Sequence, residues 1–180
     1  MTAPRSIAEV CEAIGERDGY MLRPWRVGDA PSLVAAWADP EIARWNPVPP
    51  DASINVATGW IEGAQRQAST SAGIDVVLIE QTEPDVVIGE VGLQIDRRQY
   101  IGEIGFWVGE AHRGQGHGRL LLEFGLELGA ELAIRGAVAM VDPENEGAQV
   151  TLRSAGWTEI PATGARLAFA SKCEKGPSDG

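Results

Sequence analysis

The middle of the chain alternates apolar and polar residues with the period of a β-strand. Residues 74–80, 86–96 and 101–109 show this alternation in three successive segments. An alternating segment places one set of side chains on a core and the other set on the opposite face. Because only short polar turns separate the three segments, we expect an antiparallel meander.

The period changes to that of a helix after residue 118. Leu120, Leu121, Phe124, Leu128 and Leu132 recur at the spacing of one apolar helix face. Residues 136–141 follow as an apolar strand that is reached only through this helix. A strand that is reached in this way pairs in parallel with the meander, as a crossover connection requires.

Shorter patterns complete a mixed fold. We predict strands at 20–27, 157–160 and 165–170, helices at 29–38, 53–67 and 143–155, and a helical turn that restarts at Asp39. The fold class is α/β of the α+β kind, with a mostly antiparallel central sheet of about seven strands and about four flanking helices. Residues 1–18 read as an N-terminal extension with a helical pattern, 19–170 as the domain, and 171–180 as a disordered tail.

Composition limits the class of protein. The 180 residues are 44% hydrophobic, which suits a packed core and excludes a disordered chain. No apolar run approaches the ~18 residues of a membrane span, and the N-terminus lacks a secretion signal. The two cysteines and two histidines form neither a disulfide framework nor a metal site. We therefore expect a cytoplasmic protein without metal or membrane contacts.

The net charge of −11 bears on possible partners. Such a surface repels phosphate backbones, which argues against nucleic acid. It attracts cationic amines, although solubility alone also explains it. An anionic cofactor would need a locally positive site.

A glycine-rich turn can supply that site. It joins the meander to the amphipathic helix and reads Arg113, Gly114, Gln115, Gly116, His117 and Gly118. The first N–H groups of a helix lack intrahelical partners, and none of the usual capping residues is present here. Glycines let a ligand approach the backbone, and the helix dipole favours an anion. Arg113, Arg119 and the imidazole of His117 can add positive charge.

The glycine-rich turn has three alternative interpretations. A mobile loop or a tight strand-to-helix turn is the simplest alternative. A phosphate-binding P-loop needs Lys-Ser or Lys-Thr after its last glycine, whereas Arg119 and Leu120 follow here. A dinucleotide fold needs G-x-G-x-x-G beside the first strand of a parallel sheet.

Arg113-x-x-Gly116-x-Gly118 resembles the acyl-CoA signature of the GCN5-related N-acetyltransferase (GNAT) superfamily. The order of elements agrees with that superfamily from about residue 20 to 170. Within it, the chain is most similar to the ribosomal-protein N-terminal acetyltransferase-like branch, at residues 39–45, 103–108, 145 and 153–157. The chain departs from the pattern at Glu110, where many relatives have proline, and at Ala148, where serine is frequent.

The resemblance implies acetyl-CoA as acyl donor, with its pantetheine arm paired to the third meander strand like an added strand. Gly105 and Gly109 are candidate positions for a bulge that parts this strand from its parallel neighbour, and close packing is the alternative. Asn145 would bind the pantetheine or cap its own helix. The implied cofactor contacts are Phe106, Trp107, Val108, Arg113, Gly114, Gln115, Gly116, His117, Gly118, Arg119 and Asn145.

The resemblance also implies transfer to a primary amine. Glu103 is the candidate base, with a solvated glutamate or a partner of Arg97 or Arg98 as the alternative. Trp45 and Asn46 would line the acceptor side, and no general acid is assigned. The acceptor is a small cationic amine or a protein N-terminus, and the protein a monomer or homodimer. The rival functions are a non-catalytic acyl-CoA-binding module and a nucleotide-binding fold.

Overall fold

A computed structural model describes residues 5–70 and 72–174. Its strands are β1 (Glu16–Arg17), β2 (Tyr20–Pro24), β3 (Gly73–Glu80), β4 (Gly89–Asp96), β5 (Ile101–Val108), β6 (Gly136–Val141), β7 (Thr158–Ile160) and β8 (Leu167–Lys172). Its α-helices are α1 (Ile7–Ile14), α2 (Ala30–Ala38), α3 (Pro40–Trp45), α4 (Ile54–Thr70), α5 (His117–Glu131) and α6 (Glu146–Ser154). The strands form one sheet in the order β1-β2-β3-β4-β5-β6-β8-β7.

The pair of β5 and β6 is the parallel one in this otherwise antiparallel sheet, as the crossover through α5 requires. Its register extends only from Ile101 opposite Gly136 to Glu103 opposite Val138. Beyond Glu103 the two strands separate, so the second half of β5 has a free edge on this side. The expected parting of these strands is therefore confirmed.

The bulge predicted for this parting at Gly105 or Gly109 is wrong. β4 and β5 pair in one unbroken register, from Gly89 opposite Val108 to Asp96 opposite Ile101. A bulge would shift that register by one residue. The free edge arises because β6 leaves β5 and continues along β8 for six residue pairs.

Each face of the sheet has its own core. On one face α1, α5 and α6 cover a cluster that includes the fully buried Phe124 and Phe169. On the other face α2 and α4 cover a second cluster around Trp25, with Trp60 and Trp107 at its edge. Alternation along β5 therefore directs its odd-numbered side chains toward the α4 face and its even-numbered ones toward α5.

The predicted elements are present, with shifted ends. β4 begins at Gly89 rather than 86, because the chain before it forms turns. α1 places Val10 and Cys11 in the main core, so this part of the predicted extension packs on the domain. β8 continues to Lys172, beyond the expected boundary at 170. The far ends of the predicted extension and tail, residues 1–4 and 175–180, lie outside the described residues.

A buried ion pair fixes the chain between β2 and α2. Arg23 and Asp29 are each 5% exposed, and two bonds of 2.7 and 2.9 Å join the guanidinium to the carboxylate. The carboxylate also accepts from the Arg26 amide at 2.7 Å, and the guanidinium donates to the carbonyls of Pro24 and Pro84 at 3.1 Å. This fully bonded pair holds the turn that places Trp25 over the sheet.

We expect Asp29→Asn to lower the free energy of unfolding by about 3 kcal/mol, because it leaves the Arg23 charge buried without its partner. Urea denaturation followed by circular dichroism measures the change. The control is Glu159→Gln, which removes an exposed pair with Arg153 and should cost less than about 1 kcal/mol. Equal losses in the two variants would contradict a stabilising role for the buried pair.

Candidate active site

A cavity of about 660 Å³ opens where β5 leaves β6. Its walls are the free half of β5, the end of β6, the first turn of α5, and parts of α3 and α6. The sequence-predicted site residues that line it are Trp45, Asn46, Phe106, Trp107, Val108, Arg113, Gly114, Gly116, His117, Gly118, Arg119 and Asn145. Gln115 and Glu103 are not among the lining residues.

The glycines of the turn have the conformations that an anion cradle needs. Gly114 and Gly116 have φ of +72° and +88°, which L side chains rarely adopt. Gly116 precedes α5, and no side chain caps the amides that follow it. A Cβ on Gly116 would meet nothing within 4 Å, so the cradle faces open space. At Gly118 a Cβ would lie 3.1 Å from the Thr151 methyl, so this glycine admits α6 at close range.

The arginines of the turn are bound to other parts of the protein. Arg113 donates through Nε to the Val108 carbonyl at 3.0 Å and forms an ion pair with Asp39. Arg119 pairs with Glu123 one turn later on α5, at 2.8 Å. The attraction for an anion therefore comes mainly from backbone amides and the helix dipole, because both guanidinium groups already have carboxylate partners.

The His117 ring packs among other side chains instead of standing free at the turn. It is 5% exposed and lies edge-on to Tyr20, with ring centroids 5.0 Å apart. Its Nδ1 lies 2.9 Å from the His112 carbonyl, which can only accept, so the hydrogen sits on Nδ1. The backbone amide of His117 follows Gly116 at the start of α5, where no side chain caps it.

The α3 wall is linked to the opposite rim of the cleft. The Arg44 guanidinium stacks 4.5 Å over the Trp45 ring and pairs with Glu144 at 3.0 Å. Glu144 lies between β6 and α6, so this pair spans the opening. The side-chain amide of Asn46 donates to the Ile42 carbonyl at 3.0 Å, at the end of α3. This side chain therefore has a structural role that requires no ligand.

Asn145 caps its own helix, one of its two predicted roles. Its Oδ1 accepts from the Ala148 amide at 3.0 Å. Among the described residues nothing accepts a hydrogen bond from its amide nitrogen, which therefore remains available to a ligand in the cleft.

Glu103 lies just before the strands separate. It is exposed, and it stands opposite Gln94 on β4 and Val138 on β6. The next residue on its face is Gly105, where a Cβ would meet nothing within 4 Å. The assignment of Glu103 as the base remains a prediction.

Two carboxylates that the sequence analysis did not select lie on the same face. Glu90 on β4 stands opposite Trp107 and accepts from the Trp25 indole at 2.8 Å. Asp75 on β3 extends over Gly92, where an added Cβ would lie 2.5 Å from its Oδ1. Among the described residues, nothing donates a hydrogen bond to Asp75.

Both groups have raised pKa values. Burial raises the pKa of Asp75 to about 6. Burial and the nearby Asp75 charge raise the pKa of Glu90 to about 8, against the opposing effect of hydrogen bonds from Trp25 and Trp107. A carboxyl with such a pKa beside a cleft is typical of functional sites. In the sequence Glu90 occupies an outward position of an alternating strand, so nothing there shows that Trp25 and Trp107 lie beside it.

The described residues give little support to cysteine catalysis, metal binding or a membrane-spanning helix. Burial raises the pKa of the Cys11 thiol to about 12 and that of Cys173 to about 11, so both stay protonated near neutral pH. No three His, Cys, Asp or Glu side chains converge as metal ligands among residues 5–70 and 72–174. Within the same residues, no helix has the length and apolarity to cross a membrane.

The family description "Acetyltransferase (GNAT) domain" matches residues 20–158. The chain belongs to the GNAT acetyltransferase family. It is therefore an acyl-CoA-dependent N-acyltransferase with acetyl-CoA as acyl donor. The structure agrees, because the uncapped start of α5 and the free edge of β5 suit the pyrophosphate and the extended arm of that donor.

Solved structures share this fold at low identity. Mycobacterium smegmatis RimJ in complex with CoA-disulfide is 21% identical, with a TM-score of 0.75 over 88% of this chain and 84% of that chain. A putative ribosomal-protein-serine acetyltransferase from Vibrio cholerae is 17% identical, with a TM-score of 0.74 over 87% of this chain and 95% of that chain. Vibrio cholerae spermidine N-acetyltransferase in complex with CoA and spermine is 18% identical, with a TM-score of 0.72 over 88% of this chain and 98% of that chain. No curated protein matches the sequence.

We expect the stability of this GNAT protein to fall as pH rises from about 4.5 to about 8. Folded Glu90 keeps its proton up to the higher value, so in that window the folded state binds more protons than the unfolded state. Glu90→Gln should remove a slope of about 1 kcal/mol per pH unit. Urea denaturation at five pH values measures the difference between the two proteins. Parallel stability curves would show that Glu90 titrates in its ordinary range.

Proposed function

We propose that this protein transfers an acetyl group from acetyl-CoA to a primary amine by direct attack, with both substrates bound in one cleft. The observation that carries the proposal is the geometry of that cleft, in which the glycine cradle before α5 adjoins the unpaired edge of β5. One site can therefore hold the diphosphate and present the thioester between the two separating strands.

The free edge of β5 suits the pantetheine arm. This arm is extended and contains two amides, so it can pair with unpaired backbone groups as an added strand does. Phe106 and Trp107 supply such groups beside the cleft. The Val108 carbonyl is already bonded to Arg113, which limits the pairing to the residues before it. Asn145, across the cleft on α6, offers its free amide nitrogen.

The lining residues favour direct transfer over an acyl-enzyme. No cysteine lines the cavity among the described residues, and its only hydroxyl groups belong to Thr151 and Ser154. Both hydroxyls donate to carbonyls one turn earlier on α6, at 2.8 Å, from Thr151 to Gly147 and from Ser154 to Thr151. Neither is paired with a base that would activate it, as a nucleophilic hydroxyl requires.

Acetyl-CoA supplies a thioester carbon that the amine nitrogen can attack directly. An alkylamine has a pKa near ~10.4 and arrives protonated, so the protein must remove a proton before attack. Backbone amides beside the parted strands can stabilise negative charge on the carbonyl oxygen. Glu103 is the base that the sequence predicts.

The acceptor is a cationic amine, either a small molecule or a protein N-terminus. The net charge of −11 favours a positively charged acceptor in both cases. The similar solved structures include a spermidine acetyltransferase and a putative ribosomal-protein acetyltransferase, so both acceptor classes belong in a first screen.

Calorimetry with acetyl-CoA, CoA, ATP and NAD tests the cofactor, and thiol release in the presence of amines tests the transfer. We expect acetyl-CoA and CoA to bind and the two nucleotides to bind much more weakly. Spermidine, lysine and a basic peptide with a free N-terminus form the acceptor panel. Binding without turnover on any of them would favour a non-catalytic acyl-CoA-binding module.

We expect Gly116→Ala to weaken acetyl-CoA binding by roughly tenfold, about 1.4 kcal/mol, because its methyl group enters the space of the phosphate. The matched control is Gly19→Ala, since Gly19 has φ +85° and open space around it but lies in the turn between β1 and β2. Both variants should lose about 1 kcal/mol of stability through backbone strain. Equal acetyl-CoA affinity in the two variants would overturn the cradle assignment.

A further inference from the structure

We propose that Glu90, and not the sequence-predicted Glu103, takes the proton from the acceptor amine. This inference rests on the proposed acetyl transfer and concerns the α4 face of β4 and β5. Glu90, the proposed proton acceptor, is on β4, one strand away from the free edge of β5 that faces the acyl donor.

The strand register places Glu90 beside the cleft. Glu90 is directly opposite Trp107, which lines the cavity. The neighbouring pair on the same face is Gly92 opposite Gly105, and Gly105 also lines the cavity with open space above it. Diagonal neighbours on one sheet face are about 7–8 Å apart, a distance that a glutamate side chain and an amine bound above Gly105 can bridge together. Asp75 occupies the space over Gly92, so the path from the cleft toward the Glu90 carboxyl group runs over Gly105.

Hydrogen bonds orient the carboxyl group without competing for its proton. The Trp25 indole donates to Glu90 Oε2 at 2.8 Å, and the indole of Trp107, the residue opposite, also lowers the pKa of Glu90. An indole nitrogen donates only, so neither ring can accept the proton that Glu90 gains. The carboxyl group can therefore exchange a proton only with water or with an amine in the open space.

The charges around Glu90 favour proton uptake. Asp75 on β3 is the charged group whose field acts on it, and it raises the pKa of Glu90. From β2, Arg23 lies on the same face but is neutralised by Asp29. From α4, the neutral Gln65 bonds the Trp25 carbonyl at 2.9 Å. A base with a pKa of about 8 is well matched to an alkylammonium near ~10.4.

Glu103 has none of these features. It is exposed, and Gly105 separates it from Trp107 along β5, whereas Glu90 stands directly opposite Trp107. No described residue bonds its carboxylate, so nothing in the fold orients it toward the free edge of the strand.

The proton balance is simple. The ammonium gives one proton to the Glu90 carboxylate, and the neutral amine nitrogen bonds to the carbonyl carbon while the carbon–sulfur bond breaks. The second amine proton goes to the departing sulfur. The products are an N-acetyl amine and CoA thiol, and Glu90 returns its proton to water.

The first test needs no known acceptor, because Trp25 and Trp107 report on Glu90. In the CoA-bound protein we expect tryptophan emission to change with pH around a midpoint near 8, and this transition should be absent in Glu90→Gln. Spermidine, used as a cationic probe, should move the midpoint to lower pH, since a nearby cation favours the carboxylate. A titration that is the same in Glu90→Gln overturns the inference.

The second test measures thiol release with whichever amine of the panel the wild type acetylates. Glu90→Gln should lower kcat by about 100-fold or more while acetyl-CoA affinity stays the same. Glu159→Gln, on the far edge of the sheet, is the control and should keep full activity. A wild type that acetylates no amine overturns the proposed function as well, whereas normal kcat in Glu90→Gln, or a loss confined to Glu103→Gln, overturns this inference alone.

The pH dependence of kcat separates a proton acceptor from a merely structural residue. In a plot of kcat against pH, the acidic limb, where the wild type loses activity as pH falls, should have its midpoint near pH 8. Trp25→Phe removes a hydrogen bond that lowers the pKa of Glu90, so the limb should move to higher pH. Asp75→Asn removes a charge that raises that pKa, so the limb should move to lower pH. Shifts in the same direction, or none, would overturn the assignment.

Discussion

The separation of β5 from β6 after Glu103 is the constraint on which the rest of this structure depends. Up to that point the two strands are ordinary parallel neighbours. Beyond it β6 follows β8, and β5 keeps its full pairing with β4, so a free backbone edge faces a cleft. A free edge inside a domain leaves backbone groups without partners, a state that costs free energy unless water or a ligand bonds them. In the proposed complex the donor's extended arm pairs with this edge, which would place the thioester beside Gly105.

The proposed donor site of this acidic protein offers backbone amides rather than free side-chain charge. Both arginines near the turn already have carboxylate partners, Arg113 on Asp39 and Arg119 on Glu123. Arg113 nevertheless has a second role, because it joins the end of β5 to the start of α3. The cradle and the acceptor wall are thereby connected through a single side chain. Uncapped amides and glycines in the left-handed region provide the remaining attraction, which is local and does not change the net charge of the surface.

The two faces of the sheet have different roles in the structure. The face under α5 is a dense apolar core that supports the signature helix, with Leu121, Phe124 and Leu128 fully buried. The face under α4 is aromatic and acidic, and Gly105 leaves space there for a substrate. The same strand serves both, since alternate residues of β5 point to opposite sides. Burial of Glu90 near Asp75 gives a carboxylate with a high proton affinity, which an exposed strand glutamate would not provide.

Periodicity and the glycine turn determined the architecture from the sequence alone: the meander, the crossover through α5 and the position of the anion site. These are local properties, since alternation, helical spacing and an uncapped helix start are set by neighbours in the chain. Only the tertiary structure decided which polar side chains matter. His117 and Glu90 are the clearest cases, because the ring that the sequence placed at the phosphates is buried beside Tyr20, and the outward glutamate of β4 accepts a hydrogen bond from the buried Trp25 indole. Burial and proton affinity depend on elements that are distant in sequence, and no local pattern records which element will cover a given strand face.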